Sequence, residues 1–164
     1  MVNYTGRVSQ TKRRRAHKTS AVDPRWAELA DLMLIIAREI QFRGYTNEEA
    51  VPLSQSEGMV MRYLLGVSAA APSQIAAATG LQRTNLSTVL RGLENKNLAE
   101  RHASPEDGRS VVVQATEHGK RNYALVRREW AEAVSAAAGL DDNHLDATLG
   151  LLRAVETGLV DARP

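Results

Sequence analysis

Residues 80–98 read GLQRTNLSTVLRGLENKNL, and the organisation of the rest of the chain can be worked out from this stretch. Its apolar residues recur at the i, i+3, i+4 and i+7 spacing of an α-helix, at Leu86, Val89, Leu90 and Leu93. The other face combines two arginines with short polar side chains, which can bind phosphate oxygens and base edges. Its members are Arg83, Thr84, Asn85, Ser87, Thr88 and Arg91. An ordinary solvated helix face is the alternative, and the flanking segments distinguish the two.

Two further helices are predicted just before this one. Ser54, followed three residues later by Glu57, forms a capping box at the start of the first. Pro72 suits the first position of the second, and Gly80 suits its end. Two short helices, a tight turn with glycine and a polar-faced second helix predict a helix-turn-helix, whose second helix enters the DNA major groove.

A β-hairpin is predicted directly after the polar-faced helix. Asn97 stands where a left-handed residue is expected after a helix, and residues 98–103 and 111–115 have strand-like patterns. The turn-rich stretch 104–109 lies between them and ends on Arg109. Beside a helix-turn-helix, such a hairpin is interpreted as a wing whose cationic tip enters the minor groove, although an ordinary surface hairpin is the alternative.

Five motifs, in order and at matching spacing, resemble the MarR family of bacterial transcription regulators. They are LSQ at 53–55, SQIA at 73–76, LENKNL at 93–98, DGR at 107–109 and TEHG at 116–119. The resemblance covers roughly residues 24–160 and implies a mainly α fold with a small β-hairpin wing. Departures from the family are Gln82 at the N-cap of the polar-faced helix, Asn97 in place of a frequent Gly, and Ala115 in place of a usual Leu.

The resemblance also implies which residues bind DNA or a ligand. Added to the polar face are Ser73, Gln74 and Gln82, together with Asp107 and Arg109 in the wing, where Asp107 can brace Arg109. Family members often bind small aromatic acids between their dimer helices and the DNA-reading part. We expect Phe42, Met59 and Tyr63 to line such a cleft if it exists, with plain core packing as the alternative.

The terminal helices predict self-association. A helix from Asp23 and Pro24 to about Gly44 is apolar around much of its circumference, and a last helix is expected after Asp141 and Asp142. Burial within one subunit would fit the pattern alone, but the resemblance implies a two-fold dimer. We therefore expect a basic tail at 1–23 and a single winged-helix domain at 24–164. In this domain, 53–116 would form the DNA-reading head, and 24–44 and 117–160 the dimerisation helices.

Charge is distributed unevenly along the 164 residues. Residues 1–23 hold six of the 21 Lys and Arg but one of the 19 Asp and Glu, so this tail carries +5 and the remainder −3. The tail is either a phosphate-binding arm or a solvated segment. Cysteine is absent, which excludes disulfides and thiolate metal sites, and no long apolar run or signal peptide is evident. We expect a cytoplasmic protein.

Enzyme motifs are not evident either. The four histidines have no metal-ligand spacing, and there is no glycine-rich phosphate loop or nucleophile elbow. The sequence thus predicts no catalysis, cofactor or metal. It predicts a sequence-specific regulator of transcription, a repressor that binds a pseudo-palindromic operator as a homodimer and is relieved by a small aromatic or phenolic effector. The alternative is a dimeric helical interaction module that lacks an effector response or has lost DNA binding.

Overall fold

A computed structural model describes residues 22–104, 110–139 and 143–163 of the chain. The described part is mainly helical with one two-stranded antiparallel hairpin, which confirms the predicted fold class. Its elements in chain order are α1 (Arg25–Phe42), α2 (Gln55–Leu65), α3 (Pro72–Thr79), α4 (Arg83–Asn95), β1 (Ala99–Ala103), β2 (Val111–Ala115), α5 (Glu117–Ala138) and α6 (Leu145–Asp161).

Local sequence signals set most of the helix ends. The Ser54 hydroxyl accepts from the Glu57 N–H at 3.3 Å, and the Glu57 carboxylate accepts from the Ser54 N–H at 2.8 Å, which confirms the capping box. Gly80 (φ 71°) and Asn97 (φ 55°) adopt the left-handed conformation expected after α3 and α4. At α6 the N-cap residue is His144, without a side-chain cap. The predicted caps Asp141 and Asp142 lie outside the described residues.

The first helix begins one residue later than expected. Pro24 occupies the N-cap position instead of the first helical position. Asp23 still contributes to the cap, because its Oδ1 accepts from the Arg25 N–H at 3.0 Å.

The hydrophobic core lies between α2, α3, α4, the hairpin and the first half of α5. Its most deeply buried apolar side chains are Val60, Met61, Leu64, Ile75, Leu90, Leu93, Leu98, Val113 and Val126. In the hairpin, Ala99 pairs with Ala115 and Ala103 with Val111. Ala70, just before α3, adds a bridge to Val113 through N–H···O bonds of 2.9 and 2.8 Å. The hairpin is therefore fixed to the helix-turn-helix by backbone hydrogen bonds.

The start of α5 packs against the chain just after α4. Thr116 Oγ1 accepts from the Gly119 N–H at 2.9 Å and donates to the Asn97 carbonyl at 2.7 Å. Gly119 has no room for a side chain, because a Cβ there would overlap the carbonyl oxygen of Leu98. This close approach joins α5 directly to the end of the helix-turn-helix.

The connector between α1 and α2 is held by polar side chains of α5. The Glu129 carboxylate accepts from the N–H groups of Thr46 and Asn47, both at 3.0 Å. The buried Asn122 amide pairs with the backbone of Val51, accepting at 2.7 Å and donating at 3.0 Å. These contacts fix where the chain enters α2.

The two terminal helices contribute no residue to this core. Neither α1 nor α6 contains a buried residue. Large apolar side chains are exposed on both, among them Trp26, Leu32, Leu34, Ile35, Ile36, Phe42, Leu145, Leu149, Leu151, Leu159 and Val160. Among the helices described, none has the combination of length and apolar character that a membrane span requires.

Candidate nucleic-acid interface

The helix α4 divides into a buried face and an exposed face as its sequence predicts. Leu86, Leu90 and Leu93 are buried and Val89 is half-buried, so the predicted apolar stripe is confirmed. All six side chains of the predicted polar face are exposed, namely Arg83, Thr84, Asn85, Ser87, Thr88 and Arg91. A continuous row of guanidinium, amide and hydroxyl groups therefore lies open to solvent along one side of α4.

The charges on α4 favour an anionic partner. Arg83 and Arg91 form no ion pair or side-chain hydrogen bond with any other residue described. The single acid of the helix, Glu94, is paired with Arg101 of β1, whose Nε lies 2.8 Å from Glu94 Oε1. The guanidinium groups of the exposed face therefore remain available, while the acid at the far end of the helix is neutralised. Sequence reasoning noticed Glu94 but missed its partner.

The hydroxyl groups on α4 partly bond to their own helix. Ser87 Oγ donates to the Arg83 carbonyl at 3.0 Å, and Thr88 Oγ1 donates to the Thr84 carbonyl at 3.4 Å. In this arrangement each hydroxyl keeps its lone pairs outward, as an acceptor for the exocyclic amino group of cytosine or adenine. The exposed face thus combines cationic donors with neutral acceptors.

A groove of about 450 Å³ lies where α3, α4 and the hairpin meet. Ser73 from the start of α3, Arg83 and Ser87 from α4, and Arg101 and Val111 from the strands lie along it. Three of the predicted DNA-binding residues are therefore brought together on one surface. Arg101 is an additional cation there, which strand alternation alone did not single out.

Two glutamines of the predicted set lie at helix starts. The Gln74 side-chain oxygen accepts from the Ala71 N–H at 2.8 Å, so its amide nitrogen is the group left to contact a partner. Gln82 occupies the N-cap of α4 and forms no side-chain cap, which agrees with the weak cap expected from its residue type. Both are exposed.

The predicted wing residues Asp107 and Arg109 lie outside the described residues. The hairpin is described on either side of them. The strand pairing extends to Ala103 and Val111, and the Ser104 N–H donates to the Ser110 carbonyl at 2.7 Å. The hairpin thus remains paired up to the turn that carries Asp107 and Arg109.

Lys96, just after α4, is engaged within the protein. Its ammonium group lies 2.7 Å from the Glu57 carboxylate and donates to the Pro52 carbonyl at 2.8 Å. Burial alone would raise the pKa of Glu57, but the Lys96 ammonium and the Ser54 N–H bind its ionised form and hold that pKa below the ordinary 4.5. Because 39 residues separate Glu57 from Lys96, no local pattern indicated this pair.

The three residues predicted to line a ligand cleft do not come together. Met59 and Tyr63 lie along a groove of about 600 Å³ between α2, α3 and α6, beside the ion pair of Arg62 with Glu156. Phe42 is absent from the described lining of this groove. Its ring is 71 % exposed at the end of α1, with the Arg38 guanidinium carbon 5.2 Å from its centroid.

Met59 also borders a second groove, of about 500 Å³, between α2 and α5. Aromatic rings from α5 form one of its walls, where Tyr123 and Trp130 pack edge to face with centroids 6.3 Å apart. Within the described ranges, no group of three His, Asp or Glu side chains is placed to hold a metal ion.

Comparison with known proteins supports the same interpretation. Residues 52–110 match the sequence model described as the MarR family, which spans α2, α3, α4 and β1. No curated protein matches the chain.

Solved structures of transcription regulators share the fold at low sequence identity. The PcaV regulator from Streptomyces coelicolor, in complex with its natural ligand, is 20% identical with a TM-score of 0.60, covering 84% of this chain and 97% of its own. BldR from Sulfolobus solfataricus is 17% identical with a TM-score of 0.62, covering 82% and 96%. Bordetella bronchiseptica BpsR, whose DNA binding is regulated by 6-hydroxynicotinic acid, is 21% identical with a TM-score of 0.56, covering 79% and 98%.

Proposed function

Because residues 52–110 belong to the MarR family, we propose that this protein is a transcription regulator that binds double-stranded DNA in a sequence-specific manner. The observation that carries the proposal is the exposed face of α4, which combines unpaired Arg83 and Arg91 with short polar side chains. A helix with this face can lie in the major groove while its leucines stay in the core. Its role is binding, and no catalytic step is assigned to it.

The side chains of α4 differ in what they can contribute. Arg83 and Arg91 can bind guanine through two parallel hydrogen bonds or neutralise phosphates, and Asn85 can bind adenine in the same bidentate way. Ser87 and Thr88 offer acceptors to exocyclic amino groups. Ser73 and Gln74 lie at the N-terminus of α3, where backbone N–H groups and polar side chains commonly hold phosphates. Gln82 and Thr84 complete the proposed contact set on this helix.

The hairpin supplies the proposed contact outside the major groove. Strands β1 and β2 lead into the turn that carries Asp107 and Arg109. We assign Arg109 to the adjacent minor groove and Asp107 to bracing its guanidinium. This adds one cationic contact to each DNA-reading head, beyond those of α4.

Self-association is the second part of the proposal. A monomer would leave many large apolar side chains of α1 and α6 in water, which monomeric proteins rarely do over a contiguous surface. We propose a homodimer that buries roughly 2,000 Å² or more through these helices. Two heads related by a two-fold axis would bind a pseudo-palindromic operator, and occupancy of that operator would repress transcription.

Effector control is the third part. Two of the similar regulators respond to or bind small molecules, since PcaV was solved with its natural ligand and 6-hydroxynicotinic acid regulates DNA binding by BpsR. In this chain, the groove that contains Met59 and Tyr63 combines an apolar wall with the Arg62 guanidinium, so it suits a small aromatic or phenolic ligand. Phe42 is assigned to the ligand only if the second subunit brings it to the groove. Ligand binding between α2 and α6 would change the spacing of the two heads and release DNA.

Selection from a random duplex pool tests the DNA-binding proposal directly. The purified protein should enrich duplexes that share a pseudo-palindrome with its half-sites about one helical turn, or a multiple of it, apart. Arg83→Ala combined with Arg91→Ala should abolish the enrichment, whereas Arg128→Ala, which removes an exposed arginine of α5, should preserve it. A folded parent protein that enriches no sequence would contradict the proposal and favour an interaction module without DNA binding.

A further inference from the structure

One buried carboxylate, Glu57, joins the start of α2 to the end of the recognition helix α4. It is 6 % exposed, and it accepts from the Ser54 N–H at 2.8 Å. The Lys96 ammonium reaches both of its oxygens, at 2.9 and 2.7 Å, and also donates to the Pro52 carbonyl at 2.8 Å. The four groups form one polar cluster between the two helices.

The recognition helix leaves room for this carboxylate at Gly92. A Cβ at position 92 would lie 2.8 Å from Glu57 Oε1, closer than a side chain can approach. A glycine inside a helix costs about 1 kcal/mol relative to alanine. The contact with Glu57 gives a physical reason for this glycine, because any larger residue would push α4 away from α2.

Capping the helix α2 would not require this degree of enclosure. A glutamate can complete a capping box while its carboxylate remains in solvent. Burial of an ion pair contributes little to stability, because desolvation offsets the attraction, but it can fix the relative geometry of the elements it joins. The pair also withdraws the Lys96 charge from the surface, so Lys96 does not serve as a phosphate contact.

The position of the cluster gives it leverage over the DNA-binding side chains. From Gly92 to Arg83 the helix runs nine residues, or about 13 Å. A tilt of about 5° at Gly92 would therefore move Arg83 by about 1 Å, which is more than the usual spread of hydrogen-bond lengths.

We propose that Glu57 is a positioning residue that fixes the tilt of α4 through Lys96 and the space at Gly92, and thereby maintains sequence-specific DNA recognition. The proposal rests on the DNA-binding function proposed above. It assigns to Glu57 an effect on recognition that is separate from its effect on stability.

The variant Glu57→Gln separates positioning from charge by the sign of its effect. Removing a negative charge from the DNA-reading head should strengthen DNA binding if charge alone matters. If Glu57 positions α4, the variant should bind the duplex enriched from the random pool about tenfold more weakly, because a buried charge pair is lost. Its affinity for a scrambled duplex of the same composition should be unchanged or slightly higher.

The matched control is Glu132→Gln, which neutralises an exposed glutamate of α5 that pairs with Arg128. This control should leave the ratio of specific to scrambled binding unchanged. Circular dichroism and the thermal midpoint establish that each variant is folded at the assay temperature. Amide chemical shifts of residues 83–95 should move in Glu57→Gln and stay in place in Glu132→Gln.

Gly92→Ala provides a second route if Glu57→Gln does not fold. It retains both charges but places a methyl group against the Glu57 carboxylate, so it should also lower the ratio of specific to scrambled binding. A folded Glu57→Gln or Gly92→Ala protein with the parental ratio would overturn the positioning role. A parent protein without sequence preference would instead refute the proposed function, and the positioning role with it, so the two failures are distinguishable.

Discussion

The DNA-reading head and the terminal helices have similar amphipathic sequences but different surroundings. In α4, the leucines at helical spacing are buried against α2, α3 and β1. In α1 and α6, apolar residues at comparable spacing stay exposed, and neither helix contains a buried residue. The difference teaches that an apolar stripe predicts burial but does not identify the partner. The head is completed by its own chain, whereas the terminal helices need a second surface.

Breaking the second surface should have the largest effect. Leu34, on α1, is 71 % exposed, and Leu34→Glu would place a charge in the proposed subunit interface. We expect this variant to be monomeric at micromolar concentration by light scattering. Its operator affinity should fall by about 10²–10⁴-fold, because the two heads would no longer bind as one unit.

Leu65→Glu, at the exposed end of α2, is the control for that experiment and should remain dimeric. A Leu34→Glu protein that is as dimeric as the parent would show that α1 is not part of the interface. The contrast between a closed head and open terminal helices would then need another explanation.

Gly119→Ala tests the closed region. The added Cβ would overlap the Leu98 carbonyl oxygen, and neither backbone can move without disturbing the junction of α4, the hairpin and α5. We expect the free energy of unfolding to fall by about 3 kcal/mol. Urea denaturation at a fixed protomer concentration measures this change.

Gly150→Ala in α6 is the matched control, because no other described atom lies within 4 Å of a Cβ built there. Its own subunit therefore imposes no clash, and the substitution favours helix formation. Equal destabilisation by the two alanines would remove the distinction between the head and α6.

The sequence predicted the features that depend on neighbouring residues. The Ser54 and Glu57 capping box, the left-handed Gly80 and Asn97, and the start of α5 at Glu117 are local, so residue type and spacing specify them. Local spacing also placed the exposed residues of α4 on one face, because the period of a helix is fixed.

Contacts between distant residues could not be predicted in the same way. Glu57 with Lys96, Glu94 with Arg101, and Asn122 with the Val51 backbone depend on how the elements pack. Phe42 illustrates the same limit, because its place on an apolar helix did not identify which residues it approaches. The structure separates it from the groove lined by Met59 and Tyr63.

Arg109→Ala concerns the head alone and should have an intermediate effect. Loss of the proposed minor-groove contact should weaken specific DNA binding by about 1–3 kcal/mol, without changing the fold or the dimer. Asp107→Ala should have a smaller effect, because it removes the brace but leaves the cation. Gel-shift titration measures both affinities, with circular dichroism as the control for folding. Parental affinity in Arg109→Ala would exclude the wing from recognition.

The smallest expected effect is the pH dependence that Glu57 gives to the head. In the folded protein, Lys96 and the Ser54 N–H outweigh the effect of burial and hold the pKa of Glu57 below the ordinary 4.5. Between that lowered pKa and pH 4.5, the unfolded chain binds more protons than the folded one, so stability rises with pH in this window. The contribution of Glu57 is therefore fully present above the unfolded-state pKa and is lost as the pH falls through the folded-state pKa.

Comparison of the parent with Glu57→Gln isolates this contribution. The other carboxylates with lowered pKa values, Glu100, Glu117 and Glu129, are present in both proteins, so their effects cancel. We expect the difference in the free energy of unfolding to be constant near neutral pH and to shrink as the pH falls below 4.5. Urea denaturation at fixed ionic strength and protomer concentration measures it. A difference that stays constant through the acid range would mean that the folded head does not favour the ionised form of Glu57.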